Sequence, residues 1–145
     1  MSTATARGTG SRVSPVDRLV VVLRVIAWVT VATGAVQVVA PAFVLERLGA
    51  FTDATTSQLF ATVGMFMVVV GGLLATTLSR PRHDPDVVLW SAVQKAGAAL
   101  AVGAGVARGV FDTPALGVAA FDLLTAALLV VHLRRLPRRR RPGAS

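Results

Sequence analysis

The sequence contains no cysteine, and tyrosine is absent too. The lack of cysteine excludes a disulfide framework, a thiol nucleophile and any metal site with cysteine ligands. Charged residues are scarce, since they form 15% of the 145 residues, against roughly 25% in an average soluble domain. Hydrophobic residues make up 54% of the chain, which is typical of a membrane protein. The formal net charge of +8 is compatible with this class, because membrane proteins use arginine and lysine as orientation signals.

Four apolar segments are each long enough to cross a bilayer as a helix, which requires about 20 residues. They cover residues 19–40, 59–78, 87–106 and 115–133. Helices are expected because lipid offers no hydrogen-bond partner to an unpaired backbone group. The alternating pattern of a transmembrane barrel strand is missing from all four segments.

Short connections join these segments, which favours antiparallel neighbours. We therefore expect an all-α, integral membrane four-helix bundle with up-down topology in residues 14–135. Residues 1–13 and the basic residues 136–145 are expected to be disordered tails. The first apolar segment is interpreted as an uncleaved span, because it is longer than the roughly 7–15 apolar residues of a signal peptide.

Three of the segments begin with a capping side chain followed by a proline at the first helical position. These pairs are Ser14-Pro15, Asp84-Pro85 and Thr113-Pro114. The second segment follows a polar cluster at residues 53–58 instead. Residues 41–49 have two interpretations. They form either an amphipathic turn at the membrane interface that ends at Gly49, or a continuation of the first helix beyond a kink at Pro41.

Arginine and lysine are distributed unequally between the two predicted sides of the membrane. The two tails and the middle connection hold nearly all the arginines outside the segments, whereas the other two connections hold only Arg47 and Arg108. Because cytoplasmic loops carry the excess of positive charge, both termini are predicted to be cytoplasmic. The chain is therefore expected to be a multi-pass protein of the cell membrane. Arg24 lies near the predicted inner end of its segment, so its guanidinium is expected to reach the same side.

The C-terminal arginines form a dense basic cluster. Basic residues that face an anionic leaflet contribute about 1 kcal/mol each, so we expect contacts with the bilayer and with anionic lipid head groups. The predicted contact residues are Arg134, Arg135, Arg138, Arg139, Arg140 and Arg141. A nucleic-acid partner is not expected, because no aromatic residues for base stacking alternate with these arginines.

Two opposite charges interrupt the third and fourth segments. Lys95 is the ninth residue of its segment and Asp122 the eighth of its own, so both fall near the bilayer centre of antiparallel helices. An isolated charge there costs at least ~3 kcal/mol, and Lys95 is therefore predicted to face Asp122. Gln94, turned ~100° around the helix from Lys95, is expected to extend this polar centre. Gln37 and Gln58 are expected to form hydrogen bonds between the first two segments.

The predicted Lys95–Asp122 pair has two interpretations. Ionisable residues inside a membrane commonly mark relays, ion paths or counter-charges to a ligand. A buried pair can also be purely structural and set the register of two helices. The sequence leaves both interpretations open.

Four residues at the predicted cytoplasmic face are of ligand type, namely His83, Asp84, Asp86 and His132. They lack the spacing of metal ligands on one element, and Asp84 is better explained as a helix cap. The chain also contains neither a Gly-x-Ser-x-Gly turn nor a Ser-His-Asp arrangement. No metal, cofactor or catalytic residue is therefore predicted.

A set of short features is spread along residues 18–135. The features are Leu23-Arg24, Gly34, Ala40-Pro41, Leu48-Gly49, Gly64, Gly71-Gly72, Lys95 and Asp122. Together they resemble the DoxX-like group of small four-helix bacterial membrane proteins. The resemblance implies a compact four-helix membrane fold and brings no catalytic motif to this chain.

The leading functional hypothesis is an accessory or structural membrane protein, with a second copy or another membrane protein as its partner. One alternative is a small oligomeric transporter that uses Lys95 and Asp122 as a coupling site. Another is a membrane enzyme or lipid-binding protein, which would need a polar cavity beside Gln94, Lys95 and Asp122. The three hypotheses differ in whether those residues line a cavity or pack without one.

Overall fold

The computed structural model describes residues 15–136, with side chains from Arg18 onward. Within that range the chain forms five helices and no strand. The helices are α1 (Pro15–Val39), α2 (Pro41–Arg47), α3 (Ala54–Leu78), α4 (Pro85–Ala107) and α5 (Ala115–Arg135). The all-α prediction is confirmed for this part of the chain. The predicted N-terminal tail, Ser14 and residues 137–145 with Arg138, Arg139, Arg140 and Arg141 lie outside the described residues.

Four of the described helices are long and apolar enough to cross a membrane. The candidate spans in α1, α3, α4 and α5 contain 22, 25, 23 and 21 residues, and a bilayer requires about 20. Only 22–28% of the residues in each apolar stretch are buried inside the protein. Large side chains such as Leu59 and Leu100 face outward, as they do where lipid rather than water surrounds a helix. By length and composition, these helices are those of a multi-pass membrane protein.

Helix α4 has the side-chain cap that the sequence predicts, and α3 has a cap from the polar cluster that precedes its apolar segment. The Asp53 carboxylate accepts a hydrogen bond from the Thr56 backbone N–H at 2.7 Å, which also lowers the pKa of Asp53. This cap starts α3 at Ala54, five residues ahead of the predicted apolar segment. The Asp84 carboxylate accepts from the Asp86 N–H at 3.0 Å, and the predicted start of α4 is confirmed.

The predicted cap of α5 is wrong. The helix begins at Ala115, after Pro114, and no side chain caps it. Backbone carbonyls take the first amides instead, since Ala115 N–H donates to Asp112 O and Leu116 N–H donates to Thr113 O. A turn at residues 112–114 thus replaces the side-chain cap, and the Thr113 hydroxyl has no amide left to accept from.

Ala40 separates α1 from α2, because Pro41 has no N–H with which to continue the helical ladder. The short helix α2 is therefore distinct from α1, and Gly49 follows its end with φ 68°, the left-handed conformation typical of a helix C-terminus. A side chain at Gly49 would collide with the Asp112 carboxylate. The Asp112 N–H donates to the Leu48 carbonyl at 2.9 Å, which ties the α2–α3 connection to the α4–α5 connection.

The long helices associate as two pairs, with α1 packed mainly against α3 and α4 mainly against α5. The first pair is close because glycines meet there. A Cβ at Gly34 would lie 2.6 Å from the Gly64 carbonyl oxygen, so only a residue without a side chain allows this approach. Arg24 also joins the pair, since its guanidinium donates to the Leu78 carbonyl at the end of α3 at 2.7 Å.

Two halves of the described chain differ in how they are filled. In what we call the packed half, buried apolar side chains form one cluster: Leu23, Ala27, Leu74, Ala75, Leu78, Val88, Ala92 and Leu129. What we call the hollow half surrounds a cavity. The long helices line it with residues from the ranges 29–37 of α1, 60–67 of α3, 95–102 of α4 and 117–122 of α5. Along each long helix, the residues of the packed half and those that line the cavity occupy separate stretches. The packed stretch comes first in α1 and α4, and the hollow stretch comes first in α3 and α5.

Candidate functional site

The candidate site is centred on an ion pair between α4 and α5. Lys95 Nζ lies 2.6 Å from Asp122 Oδ1, and the two side chains are 5% and 8% exposed. This is a short, charge-assisted hydrogen bond between desolvated groups. Lys95 Nζ also lies 5.6 Å from the centre of the Phe121 ring, within the range of cation–π attraction. The structure thus brings together the two residues whose matching depths predicted a pair.

Helix periodicity places this pair at the boundary between the packed and hollow halves. Lys95 follows the core residue Ala92 by one turn, and Asp122 precedes the core residue Leu129 by two turns. Thr125 lies one turn from Asp122 and is almost fully buried, but its hydroxyl donates to the Phe121 carbonyl at 2.8 Å. It therefore does not compete with Lys95 for the carboxylate.

A cavity of about 390 Å³ opens beside the ion pair on the side of the hollow half. Its wall is mostly apolar, and Phe60, Met67, Phe111 and Phe121 are among the bulky side chains that line it. Phe111 reaches the cavity because its ring lies over Gly105, where a Cβ would collide with it. Phe60 and Phe111 also border an adjoining groove of about 670 Å³ beneath the α2–α3 connection.

Two polar side chains in the cavity wall have an unsatisfied atom. Thr30 and Gln37 of α1 line the cavity and are 4% and 8% exposed. The Thr30 Oγ1 and the Gln37 Oε1 have no hydrogen-bond partner among the described residues. A buried polar atom without a partner costs roughly 1–3 kcal/mol, so this arrangement needs an explanation.

Sequence reasoning missed this role of Thr30 and Gln37. Gln37 and Gln58 were expected to form hydrogen bonds between the first two segments, but Gln58 is exposed and the Gln37 Oε1 has no partner among the described residues. The available signal was the spacing of Thr30, Thr33 and Gln37, which recur at three and four residues and share one helix face. All three line the cavity.

Gln94 lies elsewhere than its two predicted neighbours. Lys95 and Asp122 are among the residues that line the cavity, whereas Gln94 is half-buried on another face of α4. Adjacent residues of a helix are separated by ~100°, which carries Gln94 away from the cavity. Its membership of a polar site stays a prediction.

No protein-family model, curated protein or solved structure matches this chain. The cavity is therefore interpreted from its own chemistry. Lys95 uses one of its three N–H donors on Asp122, Gln37 offers a free carbonyl acceptor, and Thr30 offers a hydroxyl. This arrangement can form hydrogen bonds to a guest molecule and can compensate charge.

A second polar cluster lies at the far end of the packed half. His83 Nδ1, before α4, lies 2.9 Å from His132 Nε2 in the last turn of α5. Burial lowers the pKa of His83, and the positive charge of Arg24 lowers it further. The two histidines placed at one face by the sequence are thus in direct contact. Asp84 caps α4 instead, and no three His, Asp or Glu side chains within the described range converge as metal ligands would.

The last two described arginines are placed to meet the surroundings of the protein. Arg134 and Arg135 are exposed in the last turn of α5. Cations in this position also interact favourably with the negative end of the helix dipole. Their contact with anionic lipid stays a prediction.

Proposed function

We propose that this multi-pass protein of the cell membrane binds a small, largely apolar molecule in the cavity beside Lys95 and Asp122. The observation that carries the proposal is a cavity lined by Thr30 and Gln37, each of which has a buried polar atom without a partner, Thr30 Oγ1 and Gln37 Oε1. Binding sites for small molecules have this character, with a mostly apolar lining and a few polar groups that orient the guest. The volume of about 390 Å³ lies within the roughly 300–1,000 Å³ of such sites.

Energetics favour an occupied cavity. The unpartnered acceptor of Gln37 costs roughly 1–3 kcal/mol, and a hydrogen bond from a guest would offset that cost. The hollow half also forgoes the van der Waals contacts that the packed half makes, because atoms facing a void have no partner on that side. A guest that supplies both kinds of contact would therefore bind with a favourable free energy.

The proposal includes the arrangement of the helices. We infer an antiparallel up-down bundle, as in DoxX-like proteins, with both termini in the cytoplasm. The alternating order of packed and hollow stretches along successive long helices supports it. Reporters that are active only in the cytoplasm should work when fused at Arg82 or after Ser145 and fail at Asp53 or Asp112. Cytoplasmic activity at Asp53 would contradict this topology.

Anionic lipid at the cytoplasmic face is a further part of the proposal. The exposed Arg134 and Arg135 support it, together with the four arginines that follow in the sequence. Replacing Arg138 through Arg141 with glutamine should weaken binding to phosphatidylglycerol vesicles and leave membrane insertion unchanged. If insertion is lost instead, these arginines direct topology.

The central experiment is photolabelling by a decanol that carries a diazirine in its chain, with the protein in phosphatidylcholine nanodiscs. Cavity-lining peptides should be labelled, and excess unlabelled 1-decanol should suppress the label. Gly117→Leu should reduce labelling severalfold, because Gly117 lines the cavity and a Cβ there meets open space.

Gly97→Leu is the matched control. Gly97 is also a helical glycine with open space at its Cβ, but it lies outside the cavity lining. Both substitutions favour the helix by about 1 kcal/mol, so neither should impair folding, and labelling should persist in Gly97→Leu.

A second candidate function is the accessory or structural role. The completeness of the Lys95–Asp122 pair favours it, since both charges are satisfied within the protein. Labelling that resists competition and falls only on outward-facing residues would contradict ligand binding and support this role.

A further inference from the structure

We infer that the cavity selects an uncharged lipophile whose polar group donates a hydrogen bond, such as a hydroxyl, a phenol or a primary amide. The inference rests on the proposed function and names the class of molecule that the cavity accepts. Two features of the wall carry it, namely its balanced charge and the unpartnered acceptor of Gln37.

The charge balance of the wall argues for a neutral guest. Lys95 and Asp122 are the charged residues among those that line the cavity within residues 15–136, and each neutralises the other at 2.6 Å. A charged guest would bring an uncompensated charge into a mostly apolar site, which is costly. It could be compensated only by separating the existing pair, and a buried charge that loses its partner is strongly destabilising.

The free acceptor of Gln37 argues for a donor on the guest. The Oε1 atom of Gln37 can only accept, and it has no partner among the described residues. A hydroxyl or amide N–H of the guest would satisfy it, whereas an ether, a ketone or an alkane would leave it unpaired. An acceptor left unpaired lowers affinity more than a missing hydrophobic contact does.

Thr30 is the more adaptable of the two groups. A threonine hydroxyl in a helix can rotate to donate to the carbonyl four residues earlier, as Thr62 and Thr125 do in this protein. Thr30 can therefore satisfy itself when the guest does not reach it. Gln37 lacks that option, so it is assigned the principal role in recognition.

Competition against the diazirine-bearing decanol tests this selectivity. The competitors share one chain size and differ in the polar group: 1-decanol, methyl nonyl ether, n-decane, decanoate and decylammonium. At equal mole fraction in the nanodisc lipid, 1-decanol should compete about threefold to tenfold better than the ether, as expected for one hydrogen bond. Decanoate and decylammonium should compete more weakly than the ether.

Gln37→Leu identifies the recognising group. It should abolish the preference for 1-decanol over the ether. The thermal stability of the empty protein should not fall, because the substitution removes an unpartnered polar atom. Gln94→Leu is the matched control, since Gln94 lies in a long helix but outside the cavity lining, and it should retain the preference.

The outcomes separate the inference from the function on which it rests. If the charged competitors match 1-decanol, or if Gln37→Leu keeps the preference, the selectivity is wrong while cavity binding stands. If no competitor reduces labelling and cavity peptides stay unlabelled, binding itself is wrong. Retained selectivity in Gln94→Leu together with its loss in Gln37→Leu is the result that supports the inference.

Discussion

The packed half and the hollow half of the protein are built from the same four long helices, yet the interiors of the two halves are packed differently. In the packed half, buried apolar side chains from the four long helices form one cluster, and Leu23, Leu78, Val88 and Leu129 are fully buried. In the hollow half, aromatic side chains and small residues border a cavity of about 390 Å³. Packing in a protein interior is normally dense, so the void is a local property of one half.

The contrast extends to the polar groups of each half. Beside the packed half, Arg24 and His132 each make one hydrogen bond and leave another nitrogen, Arg24 Nε and His132 Nδ1, without a partner among the described residues. Thr30 and Gln37 in the hollow half each present an atom without one. The Lys95–Asp122 pair lies at the boundary, between the apolar cluster of the packed half and the cavity. The unpartnered atoms of the hollow half belong to residues that line the cavity, which indicates that this half is the one available for binding.

The largest expected effect comes from removing one partner of the Lys95–Asp122 pair, which lies at the boundary between the two halves. Lys95→Met alone or Asp122→Leu alone should destabilise the protein by roughly 3–5 kcal/mol, because each leaves a buried charge without its partner. The measurement is thermal unfolding in detergent.

The double variant Lys95→Met/Asp122→Leu is the control for this prediction. It should be more stable than the sum of the two single effects, because two apolar residues can replace a buried pair at little cost. Additive effects would show that the two side chains are not energetically coupled.

The second prediction concerns the close contact that forms one wall of the hollow half. Gly34→Ala should destabilise the α1–α3 pair by about 1–3 kcal/mol, as overpacking does, because its Cβ would meet the Gly64 backbone at 2.6 Å. Gly72→Ala on α3 is the matched control, since a Cβ there meets nothing within 4 Å. Its stability should be equal or higher. Equal unfolding temperatures for both alanine variants would mean that the two helices are further apart.

The third prediction compares equal truncations in the two halves of α4. Val88→Ala should lower the stability by about 1 kcal/mol, because Val88 is fully buried. The removed methyl groups lose their van der Waals contacts and leave a new cavity. Val102→Ala should cost measurably less, because Val102 already borders the cavity. Unfolding in increasing SDS can rank the two. An equal cost would show that the hollow half is filled by protein.

The smallest expected effect is a pH dependence at the end of the packed half. Burial and Arg24 hold the pKa of His83 below its usual 6.5. The His83 side chain therefore binds a proton more tightly in the unfolded protein than in the folded one. The contribution to stability is therefore complete above pH 6.5 and decreases as the pH falls below that value. The groups that face His83 are His132, Arg24 and the Arg80 backbone.

Unfolding temperatures measured between about pH 8 and about pH 5.5 should fall by a few degrees on the acid side. His83→Gln should flatten this part of the profile, because glutamine does not titrate. An unchanged slope in His83→Gln would assign the pH dependence to other groups.

Much of the fold could be predicted from the sequence because each membrane span can be recognised from its own residues. A run of about 20 apolar residues has to be helical in lipid, and Asp53 and Asp84 mark helix starts by capping them. The failure at Thr113 is also local, since a backbone turn at residues 112–114 satisfied the amides that its side chain was expected to accept from.

The sequence by itself determined the four apolar helices and the pairing of Lys95 with Asp122, because lipid penalises both an unpaired backbone and an isolated charge. Only the tertiary structure decided that Gln37 faces a cavity, that Gln94 does not line it, and that His83 meets His132. Those outcomes depend on how each helix is rotated about its own axis. In a soluble protein an apolar stripe reveals that rotation. Here the lipid-facing and buried sides are equally apolar, so the rotation is determined by packing between helices.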